Sequence, residues 1–132
     1  MSDVSGERPT VLVVDDEEDL REIMRRMLER RGFATLVAGD TDQALGACRA
    51  HDGPIDVLVT DLNLPGTSGA ELCRAVTALR PGVRVIYISG LPKDIAVSKG
   101  LIEADALLVK KPFTSTTLIE ALHSALAGQP AR

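Results

Sequence analysis

The chain has 132 residues, 45% of them hydrophobic and 26% charged, which suits one globular domain with a real core and argues against both a disordered chain and two ordinary domains. Fifteen Lys+Arg against 19 Asp+Glu leave a net charge of −4, and the only aromatic residues are Phe33, Tyr87 and Phe113, so neither a basic nucleic-acid face nor a stacking platform for single strands is expected. No apolar stretch approaches the ~18 residues that cross a bilayer, and Met1–Pro9 lacks an apolar signal core, so the chain reads as cytoplasmic with no membrane insertion.

The first β-branched run, Val11–Val14, reads as a strand. Leu20, Ile23, Met24, Met27 and Leu28 then fall on one face of a helix. A second strand, Thr35–Ala38, leads to a helix predicted over 41–50, where Asp40 and Gln43 have capping-box spacing. Ile55–Thr60 is the third strand. Gly66 and Gly69 read as turn and helix-entry residues. Ser68 and Glu71 have the better capping-box spacing, ahead of a helix over 69–79 with the stripe Leu72, Ala75, Val76 and Leu79. Val83–Ile88 is the fourth strand. A helix over 92–101 has Pro92 in its first turn but a poor apolar stripe. Ala106–Val109 is the fifth strand, and Leu118, Ile119, Leu122, Ala125 and Leu126 mark the last helix.

Several of these strands are almost continuously apolar, as strands buried on both faces of a parallel sheet are. The strict alternation predicts an α/β, doubly wound (βα)5 domain with right-handed crossovers. Ligands of such sheets sit outside the carboxyl ends of the strands, so the residues just after each strand are the ones to read.

Asp15 and Asp16 follow the first strand, Gly39 and Asp40 the second, Asp61 the third, Ser89 and Gly90 the fourth, and Lys110, Lys111 and Pro112 the fifth. Glu17, Glu18 and Asp19 are explained by the positive end of a helix dipole. Asp15 and Asp16 end a buried strand and are not. Two carboxylates about 4 Å apart repel by roughly 4 kcal/mol at an effective dielectric of about 20. Such a cluster must hold a proton or a cation. Oxygen-only ligands favour Mg²⁺, or Mn²⁺, over zinc. Lys111 precedes Pro112, which biases it to an extended backbone and suits a cis bond in a tight turn. Lys110 reads as a solvated cation, and Ser89 alone would read as a hydroxyl bonded to local backbone. Taken together, a carboxylate nucleophile, a divalent cation and two neutralising donors describe a phosphoryl-transfer site. Neither GxxxxGK[ST] nor GxGxxG occurs, so the phosphoryl donor is not expected to be a nucleotide bound in this domain. Cys48 and Cys73 have no metal-ligand spacing and read as small hydrophobes in a reducing compartment.

Four segments resemble the receiver domain of two-component response regulators: Val11–Glu18 (VLVVDDEE), Val59–Gly69 (VTDLNLPGTSG), Ser89–Gly90, and Lys111–Phe113. The resemblance runs over about residues 9–127, with 1–8 and 128–132 expected as flexible termini. It implies a flavodoxin-like fold with a five-stranded parallel sheet in strand order 2-1-3-4-5. It also implies that Asp61 is the phosphoacceptor, taking a phosphoryl group from a histidine kinase or a histidine phosphotransfer protein and so catalysing its own modification. Asp15, Asp16, Asp61 and the backbone carbonyl of Asn63 would hold Mg²⁺. Lys111 and Ser89 would bind the phosphoryl oxygens, helped by the N–H groups of Leu62 and Gly90. The family usually carries Tyr or Phe three residues before the lysine. This chain departs from that pattern with Leu108, so the usual aromatic switching is not expected here.

No DNA-binding segment is recognised, and a monomer or a weak phosphorylation-dependent dimer is expected. Three contexts are open: a stand-alone receiver, part of a longer regulator, and the receiver of a hybrid histidine kinase, which Val85–Gly90 and Gly53–Asp61 resemble most. Two rivals remain. One is a haloacid-dehalogenase-type phosphohydrolase with Asp15 as nucleophile, although that family spaces its aspartates Asp-x-Asp. The other is a degenerate receiver that serves only as a binding module.

Overall fold

The structure, a computed structural model, describes residues 8–64 and 66–127. The termini expected to be flexible, 1–8 and 128–132, lie outside the described residues apart from Arg8. Five strands, β1 (Thr10–Val14), β2 (Ala34–Ala38), β3 (Val57–Asp61), β4 (Arg84–Ser89) and β5 (Leu107–Lys110), form one parallel sheet. Its order is β2-β1-β3-β4-β5, the expected doubly wound, flavodoxin-like topology. The helices are α1 (Glu18–Arg30), α2 (Thr41–Ala50), α3 (Gly69–Leu79), α4 (Lys93–Ser98) and α5 (Ser115–Ala127).

The alternating side chains of each strand explain the two layers. Val11, Val13, Val57, Val59, Ile86, Ile88 and Val109 face α1 and α5, where Met24, Leu28, Leu118 and Leu122 cover them. Leu12, Val14 and Leu58 face the other way, onto Ala44 and Cys48 of α2 and Leu72 and Val76 of α3. All five residues of β1 are buried, which is why this strand carries no polar alternation. A smaller cluster of Leu62, Tyr87, Ala96 and Ile102 packs under α4, with Leu108 against it.

The structure departs from the sequence reading in three places. Asn63–Leu64 and Thr67–Ser68 form a short antiparallel ribbon outside the sheet. Each strand has two residues, too few for any periodicity to show. Helix α4 has six residues rather than the span 92–101. Gly100 (φ 75°) takes the left-handed position, with Leu101 N–H bonded to the Ala96 carbonyl and Gly100 N–H to that of Val97, a Schellman ending. At α2 only half of the expected capping box forms. Asp40 accepts from Gln43 N, whereas the Gln43 amide oxygen reaches Gly39 N at 2.7 Å instead of Asp40 N. The Ser68–Glu71 box at α3 is complete.

Gly69 opens α3 for a steric reason. A Cβ there would lie 2.6 Å from the Asp61 carbonyl oxygen and 3.1 Å from Leu62 Cα, both backbone atoms that cannot step aside. Gly69 N–H also donates to the Leu62 carbonyl at 2.8 Å, so the start of α3 is clamped on the end of β3. Gly69→Ala is expected to lower stability by about 1–3 kcal/mol, the usual cost of forcing atoms into a packed region. Urea denaturation checks this, and an unchanged midpoint would contradict the close approach.

Candidate functional site

The sheet register builds the site. Val14 pairs with Thr60, so the next residues, Asp15 and Asp61, end adjacent strands at the same level. Ser89 pairs with Lys110, which brings Lys111 to the same edge. One carboxylate oxygen from each of Asp15, Asp16 and Asp61 lies within 4.8 Å of the others. Lys111 Nζ donates to Asp61 Oδ2 at 3.0 Å and sits 3.9 Å from Asp15 Oδ2. The Lys111–Pro112 peptide bond is cis, as the sequence suggests.

Burial grades the three acids. Asp15 is fully buried, Asp61 is intermediate and Asp16 is exposed. Asp15 Oδ1 accepts the Glu17 N–H at 2.8 Å, while its Oδ2 is buried with no hydrogen-bond partner. Burial pushes the Asp15 carboxyl above its ordinary pKa; the Glu17 N–H and Lys111 oppose this, and the charges of Asp61 and Asp16 add to it. Burial works against the Lys111 ammonium, but its hydrogen bond to Asp61 and the charges of Asp61, Asp15 and Glu17 outweigh this and raise its pKa. An orphaned buried carboxylate oxygen beside two more carboxylates is an all-oxygen donor set suited to a hard divalent cation.

Ser89 is buried at the same edge, but its hydroxyl oxygen accepts the Leu91 N–H at 3.0 Å. Its carbonyl accepts the Lys111 N–H at 2.7 Å, which ties the two strand ends together. Asn63 N–H donates to Asp61 Oδ1 at 3.2 Å. Leu62 N–H, expected to help at the site, is engaged by the Ile88 carbonyl at 2.9 Å, so it extends the sheet instead. Leu108 is half-buried and pairs with Tyr87, whose phenol burial pushes above its ordinary range, with the neighbouring Cys73 adding to the effect. Aromatic bulk is thus present one strand away from the position where the sequence lacks it.

One residue at the site, Arg21, is missed by the sequence reading. Arg21 of α1 donates from Nη1 to the Asp15 carbonyl at 2.8 Å, and Gly39 lies against that guanidinium. A lone arginine on an amphipathic helix carries no motif that would mark it.

A doubly wound sheet with an acidic trio and a lysine at its carboxyl edge defines a response-regulator-like phosphoryl-transfer domain. A family model described as the response regulator receiver domain matches residues 11–123, and the chain belongs to that family. It is 34% identical over 119 residues to the DNA-binding response regulator MtrA of Mycolicibacterium smegmatis, covering 90% of this chain and 51% of MtrA. It is 37% identical over 117 residues to the transcriptional regulatory protein FixJ of Rhizobium meliloti, covering 88% of this chain and 56% of FixJ. The chain therefore spans about half the length of the curated relatives it matches. The crystal structure of a response regulator receiver protein from Sinorhizobium medicae superposes with a TM-score of 0.77 at 29% identity, covering 93% of this chain and 98% of that one. The chain is a receiver domain of two-component signal transduction, and the haloacid-dehalogenase reading is set aside. Among the described residues, no helix is long and apolar enough to cross a membrane.

Proposed function

We propose that Asp61 accepts a phosphoryl group from a phosphohistidine on a histidine kinase or a histidine phosphotransfer protein. The observation that carries this reading is the half-buried Asp61 carboxylate at the end of a central strand, grouped with Asp15 and Asp16 and bonded to Lys111. The receiver unit is taken as 9–127, a span that includes the matched residues. Asp15, Asp16, Asp61 and the Asn63 carbonyl would hold Mg²⁺, or Mn²⁺. When bound, the cation neutralises charge that builds on the phosphoryl oxygens.

The Asp61 carboxylate attacks phosphorus, the P–N bond breaks, and the imidazole leaves with the bonding pair. Lys111 turns part of its charge from Asp61 to the transferred oxygens. The product is an acyl phosphate on Asp61. The Ser89 hydroxyl donates to a phosphoryl oxygen and so reports the modification. A cytoplasmic receiver that does not itself contact nucleic acid fits the net charge of −4, and a monomer or weak phosphorylation-dependent dimer is the expected state. Intact-mass measurement after incubation with Mg²⁺ and acetyl phosphate, followed by peptide mapping at acid pH, tests the reading. One added phosphoryl group on the peptide that holds Asp61 supports it, and an unmodified chain counts against it.

The output of the switch follows from the Ser89 contacts. Its hydroxyl now accepts the Leu91 N–H, so turning it toward a phosphoryl group releases that N–H. A ligand shifts a two-state segment only through such differential contacts. Residues 90–94 and the start of α4 should therefore reorder, while Leu108, already packed beside Tyr87, stays in place. Methyl and amide NMR of the free and beryllofluoride-bound protein should show large shifts at Leu91 and small ones at Leu108. The opposite pattern would refute this route.

A further inference from the structure

Arg21 is placed in a way that its charge does not explain. It lies among Glu17, Glu18, Asp19 and Glu22, yet among the described residues it forms no ion pair with a carboxylate. Its Nη1 instead donates to the backbone carbonyl of Asp15 at 2.8 Å. We propose that Arg21, seated on Gly39, is a positioning residue that holds the Asp15–Asp16 peptide plane and thereby aims the two carboxylates at a divalent cation.

The hydrogen bonds around Asp15 support this. Its N–H is taken by the Ala38 carbonyl at 3.1 Å, its Oδ1 by Glu17 N at 2.8 Å and its carbonyl by Arg21, which leaves only Oδ2 without a hydrogen bond, 3.9 Å from Lys111 Nζ. The Asp15 carbonyl belongs to the same rigid peptide unit as the Asp16 N–H. Fixing one side of that plane fixes the direction in which Asp16 leaves it. Asp16 is exposed and has no hydrogen bond of its own among the described residues, so this backbone hold is what orients it.

Gly39 supplies an independent observation. Its φ is not positive, so its backbone conformation does not call for glycine. A Cβ there would lie 2.8 Å from Arg21 Nη1 and 3.3 Å from the Gln43 amide oxygen, which itself holds Gly39 N at 2.7 Å. The missing side chain is the space the guanidinium occupies.

The inference rests on the metal reading above, and the sign of the effect separates positioning from charge. Removing a cation beside an acidic trio strengthens binding of another cation by Coulomb's law. Losing a hold on the turn weakens it. Groups that hold metal ligands in place typically account for about 10–100-fold in affinity, and a backbone contact belongs at the low end. Isothermal titration with MgCl₂ at constant ionic strength should therefore give about a 10-fold weaker Kd for Arg21→Ala. Arg21→Lys should recover part of the loss. Gly39→Ala, which displaces the guanidinium but keeps its charge, should weaken binding several-fold. Arg26→Ala makes the same charge change on the solvent side of α1 and should leave the Kd unchanged. Binding by Arg21→Ala as tight as that of the parent, or tighter, overturns the proposal. If Arg21→Ala does not fold, an unchanged Kd in Gly39→Ala overturns it instead. A parent that binds no Mg²⁺ overturns the metal reading and this inference together.

Discussion

Asp61→Asn is expected to take up no phosphoryl group under conditions that fully label the parent. An amide has no anionic oxygen to attack phosphorus and cannot form the acyl phosphate, so the loss should reach the background of the assay rather than a partial reduction. The substitution is nearly isosteric. The oxygen of the introduced amide still accepts the Asn63 N–H that Asp61 Oδ1 now receives at 3.2 Å, and the sheet register around it is unchanged. The variant should therefore fold, and its Mg²⁺ titration shows how much of the cation site remains. Removing one of three clustered carboxylates relieves repulsion but also weakens the 3.0 Å bond to Lys111, so a melting curve of the variant separates a lost nucleophile from unfolding. Intact mass and an acid-stability profile of the label provide the check. Labelling of Asp61→Asn at the parent's level would move the nucleophile elsewhere, with Asp15 and Asp16 the carboxylates in reach among the described residues.

The scaffold was legible because its signals are local and repeated. Several strand runs are almost continuously apolar, most helix stripes have regular spacing, and each site carboxylate stands within two residues of the end of a strand. The register then places Asp15 beside Asp61 without any further information, since Val14 and Thr60 are partners. What stayed hidden depends on distance in space. Gly69 reads as a plain helix-entry glycine, and only the fold shows the Asp61 carbonyl 2.6 Å from where a Cβ would be. Arg21 and Gly39 are separated by a strand and most of a helix, so no spacing rule links them. Gln43 has the right spacing to cap Asp40, but the exposed amide bonds Gly39 N, one residue earlier, because that N–H is also free at the strand end. Ser89, by contrast, ends its strand and bonds the Leu91 N–H two residues on, the local backbone bond that a serine at a strand end suggests.

The cation response is the other large effect, and Asp15 gives it a definite sign. Cation binding to the folded state adds RT ln(1 + [L]/Kd), which at ten times Kd is about 1.4 kcal/mol, or roughly 5 °C in Tm for a domain of this size. Asp16→Ala should abolish that rise, because one of the three ligand oxygens is gone. Without a cation the order reverses. Burial holds the Asp15 pKa above the unfolded value of 3.8, so the folded state keeps this proton to higher pH than the unfolded chain does. As pH rises through the raised value, the folded state must ionise a buried carboxylate beside Asp61, and stability falls. The penalty is complete above the folded pKa and absent below about the unfolded one. Asp15→Asn keeps an oxygen for the Glu17 N–H and carries no charge, so it escapes the penalty. In chelator the variant should melt above the parent at neutral pH, with the gap closing as the solution is acidified. In saturating Mg²⁺ the parent gains the full rise and Asp15→Asn gains little. Melting curves in chelator and in Mg²⁺ across this pH range test both signs, and a chelated parent more stable than Asp15→Asn at neutral pH would show that Lys111 fully compensates the buried charge.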